Sequence, residues 1–203
     1  MHYHVVEIGV CDFDILSERY EGESCILVEP HPVFYEKLLR RNNPNWIIVK
    51  AAISNTRGKL PLFHVDLVDI ETRGIDWCIR GCSSLSAPGW FMKDCCRNAG
   101  GEELIQKIDV DVMTIEDLLR IYSVTSITHL KIDAEGQDQN IMRDYVDLVR
   151  KSPGLMAEDI DFENSWFDSQ ESLHALEHEL EKLGYEISWE ECKTLARLAV
   201  RPS

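Results

Sequence analysis

Asp133 and Glu135 stand where an apolar run stops, in Leu130-Lys131-Ile132-Asp133-Ala134-Glu135-Gly136. In open α/β sheets the ligand lies outside the carboxyl ends of the strands, so acids at such an end face a site. Carboxylates there can take a proton, orient a polar group or grip a cation. A second acid ends a second run, in Val28-Glu29-Pro30-His31-Pro32. It follows Gly9 by about twenty residues, the separation at which an acid accepts hydrogen bonds from the ribose hydroxyls of a nucleoside cofactor. Gly9 closes the run Val6-Glu7-Ile8-Gly9 and lets the backbone bend sharply and approach a ligand. The loop beyond it, Val10-Cys11-Asp12-Phe13-Asp14, lacks the further glycines of a pyrophosphate loop. Asp12 and Asp14 add negative charge, which disfavours a phosphate and suits an amine or a sulfonium. A third run, Val49-Lys50-Ala51-Ala52-Ile53, ends in small residues, and Ala51 and Ala52 leave room for a flat base.

Two sequence periods must place these residues. Strand-like runs cover residues 5–10, 25–29, 46–53, 60–65, 108–113, 124–132 and 155–160. Helical spacing covers 32–41, with Phe34 and Leu38 four apart, and 138–150, with Ile141, Met142, Tyr145, Val146 and Val149 on one face. Thr114 is placed to cap a helix through Tyr122, with Asp117 completing a capping box. Asp168 is placed to open another helix, whose stripe is Leu173, Leu176, Leu180 and Leu183 and whose end is Gly184. The last runs, 185–189 and 194–200, read as a hairpin. This alternation predicts an α/β fold: a mostly parallel sheet with helices on both faces and an antiparallel C-terminal edge hairpin. Residues 66–107 hold Trp77, Trp90 and four cysteines without a clear period, and are expected to form a lid or substrate insertion.

The bulk properties narrow the partners. At 203 residues the chain fits one domain, 1–203. A formal net charge of -15 argues against a nucleic-acid binder, which needs a basic face, and against docking on anionic membrane. No run of about 18 apolar residues offers a membrane span. The start lacks the charged and apolar regions of a signal peptide. Seven cysteines without a CxxC pair read as free thiols in a reducing compartment, so the expected location is cytoplasmic.

Together the motifs resemble a class I S-adenosylmethionine-dependent methyltransferase, and more narrowly the FkbM-type family. The resemblance rests on Val6-Glu7-Ile8-Gly9, Val28-Glu29-Pro30, Ala51-Ala52-Ile53 followed by Gly58, and Gly81-Cys82-Ser83-Ser84-Leu85. It rests most on Val112-Met113-Thr114-Ile115-Glu116-Asp117-Leu118-Leu119 and on the run ending in Asp133-Ala134-Glu135-Gly136. The pieces occur in the family's order over roughly residues 5 to 160. The resemblance implies a Rossmann-like sheet of seven strands and methyl transfer, usually to a hydroxyl oxygen. It implies Glu7 and Gly9 at the methionine end of the donor, Glu29 on the ribose, and Ala51 and Ala52 beside adenine. Ser84 would close over the cofactor, and Asp12 and His31 are counted with the cofactor-binding residues. Asp133 and Glu135 would lie beside the transferring methyl group. Phe13 stands where the family usually carries a second glycine.

On that reading Asp133 is the first candidate for the base or orienting group, and Glu135 and Glu158 follow. Glu158-Asp159 is read as the end of the next strand, and Asp161 and Glu163 as a solvated acidic loop. The same carboxylates could instead hold Mg²⁺ and lower the acceptor's pKa, but no metal ligands are assigned. His174 and His178, four apart, read as a solvated helical face and not a zinc site. The expected acceptor is a hydroxyl of a small molecule or glycan. Two other readings compete: a methyltransferase-like binding module without turnover, motivated by the glycine-poor first loop, and an NAD-type Rossmann oxidoreductase, which the missing glycines weaken.

Overall fold

The structure, a computed structural model, describes residues 1–164, 169–190 and 192–199. In chain order the strands are β1 (His2–Ile8), β2 (Cys25–Val28), β3 (Trp46–Val49), β4 (Ala52–Ile53), β5 (Gly58–Val65), β6 (Ile105–Met113), β7 (Ser126–Ile132), β8 (Ala157–Glu163), β9 (Tyr185–Glu190) and β10 (Lys193–Leu198). The α-helices are α1 (Pro32–Arg40), α2 (Leu67–Arg73), α3 (Trp90–Ala99), α4 (Ile115–Ile121), α5 (Asp138–Lys151) and α6 (Gln170–Lys182). None is long and apolar enough to cross a membrane.

Seven strands form the main sheet in the order β3-β2-β1-β7-β8-β10-β9. The first five run parallel, and β10 is antiparallel to both β8 and β9. The expected Rossmann-like sheet with an antiparallel edge is therefore observed. Its register sets the site: Ile8 lies level with Val28 on one side and with Ile132 on the other. Ile132 in turn lies level with Phe162. Whatever follows each of these four residues emerges at one edge of the sheet.

Alternation along the strands splits the core. Val6, Ile8, Ile26 and Val28 pack under α4, α5 and α6, while Val5, Cys25 and Leu27 pack with Leu38 of α1 and with Ile15 and Leu16. Residues Leu16–Arg19 make a 3₁₀ turn. Helices therefore lie on both faces, and among the described residues the helical and 3₁₀ cover of the second face lies over β1, β2 and β3. Beyond them His129, Asp159, Asp161 and Arg197 line an open polar groove.

Two expected elements change. The run 46–53 is not one strand: β3 stays in the main sheet, while β4 pairs with β6 in a second sheet of order β4-β6-β5. Residues 66–107 are not irregular either. They fold as α2, a 3₁₀ helix (Trp77–Gly81), α3 and a further 3₁₀ turn (Glu102–Leu104), around Ile70, Ile75, Ile79, Met92, Cys96 and Leu104. Thr114 does cap α4 with Asp117 in a capping box. Pro32 opens α1 behind an N-cap at His31, whose Nδ1 accepts the Val33 N–H. Asp168 and Val200 lie outside the described residues; Ser169 caps α6, its hydroxyl accepting the Ser172 N–H.

Candidate active site

Two strand ends meet at the centre of the edge. The Asp133 N–H donates to the Ile8 carbonyl at 2.9 Å, so the turn after β7 is laced to β1. Gly9 has φ +79°, and a Cβ there would sit 1.8 Å from the Asp133 carbonyl oxygen. Only glycine allows this approach. Cys11, Asp14 and Glu135 adopt positive φ without being glycine. Such backbone costs of order 1–3 kcal/mol per residue and persists where the surroundings over-determine it.

Asp138, the first residue of α5, holds the turn after β7. It is fully buried, and its carboxylate accepts the N–H groups of Ala134 at 3.2 Å and Gly136 at 3.3 Å. Burial pushes its carboxyl up to about 8, helped by Asp133 and Glu163, against the pull of its backbone donors. Burial also raises the Asp133 carboxyl, while Lys131 and Lys193 oppose the rise.

Glu29 is buried at the end of β2. Its carboxylate accepts the Cys11 N–H at 2.7 Å and the His31 N–H at 2.6 Å. Burial lifts it to about 7 despite those two bonds. A carboxylate has about four acceptor positions, so two backbone donors leave capacity for a ligand. His31 does not line the cleft. Its Nε2 lies 3.2 Å from His64 Nδ1, and burial, then His64, pushes it down to about 4.

A cleft runs along this edge. Gly9, Glu29, Ala51, Ala52 and Asp133 line it. Phe34, Ile53 and Leu62 make its apolar end. A second cleft of about 720 Å³ adjoins it and shares Gly9, Cys11, Gly81 and Asp133 with it. Phe13, Asp14, Lys131, Glu135 and Glu163 belong to the second cleft alone. Asp133 therefore stands on the border of the two. Among the described residues, Asp133, Glu135 and Glu163 each place a carboxylate oxygen within 4.8 Å of the others. Such a set can relay a proton or draw in a positively charged group.

Besides His31, four sequence candidates sit elsewhere. Glu7 is fully buried beneath the loop, accepting the Leu16 and Ser17 N–H groups, the Ser17 hydroxyl and Lys131 Nζ. It fastens the loop to the sheet and lines neither cleft. Asp12 is paired with Lys37 at 2.6 Å and Arg80 at 3.4 Å. Burial would raise its carboxyl, but these two cations outweigh it and hold it low, so its charge is not on offer to a ligand. Glu158 lies near the start of β8, because that strand runs on to Glu163. It is Glu163, read as solvated loop, that joins Asp133. Ser84 forms a bridge with Phe63, and its hydroxyl donates to the Glu135 carbonyl and accepts the Ser86 N–H. The strand-like alternation around that bridge turns its neighbours Ser83 and Leu85 to the cleft instead.

Arg80, Gly81, Ser83 and Leu85 thus form a roof over the first cleft. Gln137 adds a tie, with its amide donating to Ser86 Oγ at 3.1 Å and its carbonyl accepting the Ser54 hydroxyl at 2.9 Å. Arg80, Ser83, Leu85 and Gln137 are lining residues that the sequence reading did not single out. The glycine-bounded stretch from Gly81 to Leu85 carried the nearest signal to three of them.

No curated protein matches this chain. A solved structure, a METTL16 methyltransferase domain (crystal form 2), is similar over 99% of this chain at 10% identity, with a TM-score of 0.48. This chain spans 61% of the length of that one. The family model of the methyltransferase FkbM domain matches residues 4–187, from β1 into β9. With that span covering both strand ends, the Glu29 acid and the insertion, the chain belongs to the methyltransferase FkbM domain family.

Proposed function

We propose that this protein transfers a methyl group from S-adenosylmethionine to a hydroxyl oxygen of a small molecule or glycan. The observation that carries the reading is the position of Asp133, an acid that lines both the cleft beside Glu29 and the acid-lined cleft next to it. The family implies the donor, and the lining of the first cleft suits its chemistry. Glu29 offers acceptor capacity for ribose hydroxyls, and Phe34, Ala51, Ala52 and Leu62 offer apolar walls for a base. The acids around the clefts disfavour the pyrophosphate of a dinucleotide. When bound, the donor supplies an electrophilic methyl group on a sulfonium.

The chain's own groups supply the rest. Holding donor and acceptor in line accounts for much of the acceleration of such a displacement. A hydroxyl must also lose its proton, and Asp133, raised by burial, is suited to take it. Glu135 and Glu163 lie within reach to share that charge. The unpaired cysteine thiols suit a reducing compartment such as the cytoplasm.

Calorimetry with S-adenosylhomocysteine tests the donor half, and the expected result is saturable binding at one site. No binding by the purified protein overturns the reading. Turnover on a panel of hydroxyl, amine and thiol compounds tests the acceptor half. Methylation confined to amines or thiols would overturn the hydroxyl assignment, and binding without any turnover would favour a donor-binding module.

A further inference from the structure

We propose that Arg80 is the anion-binding residue of the donor site and takes the carboxylate of the donor's amino-acid end; this rests on the methyl-donor reading above. An amino-acid moiety carries a carboxylate into an edge rich in acids. Asp14, Glu135 and Glu163 line the second cleft, and Glu29 and Asp133 line the first. A carboxylate held there needs a cation. Among the described residues that line the first cleft, Arg80 is the one cationic side chain. The cation of the second cleft, Lys131, is committed to Glu7 at 3.2 Å and to the Asp14 carbonyl at 2.9 Å.

Arg80 is built to present its fork. It sits in the 3₁₀ helix Trp77–Gly81 of the roof, with its side chain only 25% exposed. Its Nε donates to the Trp77 carbonyl at 3.2 Å and Nη1 to Asp12 at 3.4 Å. The guanidinium lies 5.2 Å from the Phe13 ring centre and 5.3 Å from that of Trp77. Two aromatic rings and two hydrogen bonds fix the plane of the group. Asp12 is one carboxylate between two cations, Lys37 at 2.6 Å and Arg80 at 3.4 Å, so the trio keeps a net positive charge. A guanidinium has five donors, and three remain for a carboxylate, which it can bind through two parallel bonds. The neighbouring Gly81 lets the roof come down on Phe13, since a Cβ there would lie 3.0 Å from that ring. Donor and roof are thereby linked through one side chain.

The test is a cycle of calorimetric titrations. Wild-type protein and R80Q are each titrated with S-adenosylhomocysteine and with its neutral carboxamide. In the wild type, replacing the carboxylate by the amide should weaken binding roughly ten- to hundredfold. R80Q should weaken binding of the acid by a similar factor and show little difference between acid and amide. Unchanged affinity of R80Q for the acid overturns the proposal. So does an acid-to-amide ratio in R80Q equal to that of the wild type, which marks Arg80 as a latch of the roof only. If R80Q fails to fold, R80K decides: the ratio should shrink, because a point charge replaces the fork, and an unchanged ratio overturns the proposal. Wild-type protein that binds neither compound would refute the donor reading beneath it. Failure of the Arg80 assignment alone appears on wild-type protein that does bind.

Discussion

Donor affinity should rise with pH between 6 and 8, while the stability of the ligand-free protein falls, and Glu29 is the common cause. Its carboxyl titrates near 4.5 in an unfolded chain and at about 7 when folded, because burial disfavours the charge. The folded state thus holds a proton that the unfolded state has already lost. Stability is then full below the unfolded value and is lost as pH rises from 4.5 towards 7, by about 3 kcal/mol for this gap. Asp138, raised to about 8, acts in the same sense. Ribose hydroxyls donate to the ionised form, so the ligand responds in the opposite direction. The ionised fraction is about one tenth at pH 6 and about nine tenths at pH 8, which makes the affinity difference roughly tenfold. Titrating S-adenosylhomocysteine at several pH values, with thermal unfolding of the free protein in the same buffers, reads both slopes. E29Q should bind weakly and lose the pH dependence of binding. An affinity independent of pH in the wild type, or a slope that survives in E29Q, would refute the reasoning.

The other variants separate roles along the same edge. D133N should lower turnover roughly a hundredfold or more with little change in S-adenosylhomocysteine affinity; a larger effect on affinity than on turnover would move Asp133 from the acceptor to the donor. E158Q should leave both quantities at wild-type values, since Glu158 lies near the start of β8, and a loss of turnover would contradict that placement. G9A should depress the thermal midpoint and abolish donor binding, because its methyl group would occupy the Asp133 carbonyl position; wild-type behaviour would show that the two strand ends are not tightly laced. S84A removes the hydroxyl that donates to the Glu135 carbonyl, and stopped-flow measurement should show S-adenosylhomocysteine leaving roughly fivefold faster; an unchanged rate would mean that the roof is held elsewhere.

The readable parts of this fold were those with local causes. The apolar runs at 5–10, 25–29 and 124–132 and the stripes of α1 and α5 carry their periods within a few residues, and each appears as an element, the strands ending at Ile8, Val28 and Ile132. Glu29 and Asp133 were legible because a strand followed by an acid is itself a local pattern. What failed depended on partners distant in sequence. The role of Glu7 is set by Leu16, Ser17 and Lys131, and nothing near it in the chain announces them. The third strand breaks at Lys50 because Ala52 pairs with Val112, a contact across sixty residues. Asp159-Ile160-Asp161-Phe162-Glu163 did carry a two-residue period through to Glu163. Its run of acids outweighed that signal and pointed to a loop. The roof was hidden by short helices, although Met92 and Cys96 are four apart and both buried.

The insertion has an architecture that bears on how such enzymes diversify. It leaves the small sheet after Val65 and returns at Ile105, and those two residues are paired in the β5–β6 ladder, which continues from there to Gly58 and Val112. The two ends are therefore clamped side by side before any of the intervening 39 residues, 66–104, are placed. Loop-closure entropy grows only with the logarithm of length, and here the ladder sets the closure. Changes of length or helix content within the insertion need not propagate into the seven-stranded sheet. The roof rests on a fixed socket, and grafting 66–104 from one chain to another, with Arg80, Ser84 and Ser86 kept, is the direct test of whether it selects the acceptor.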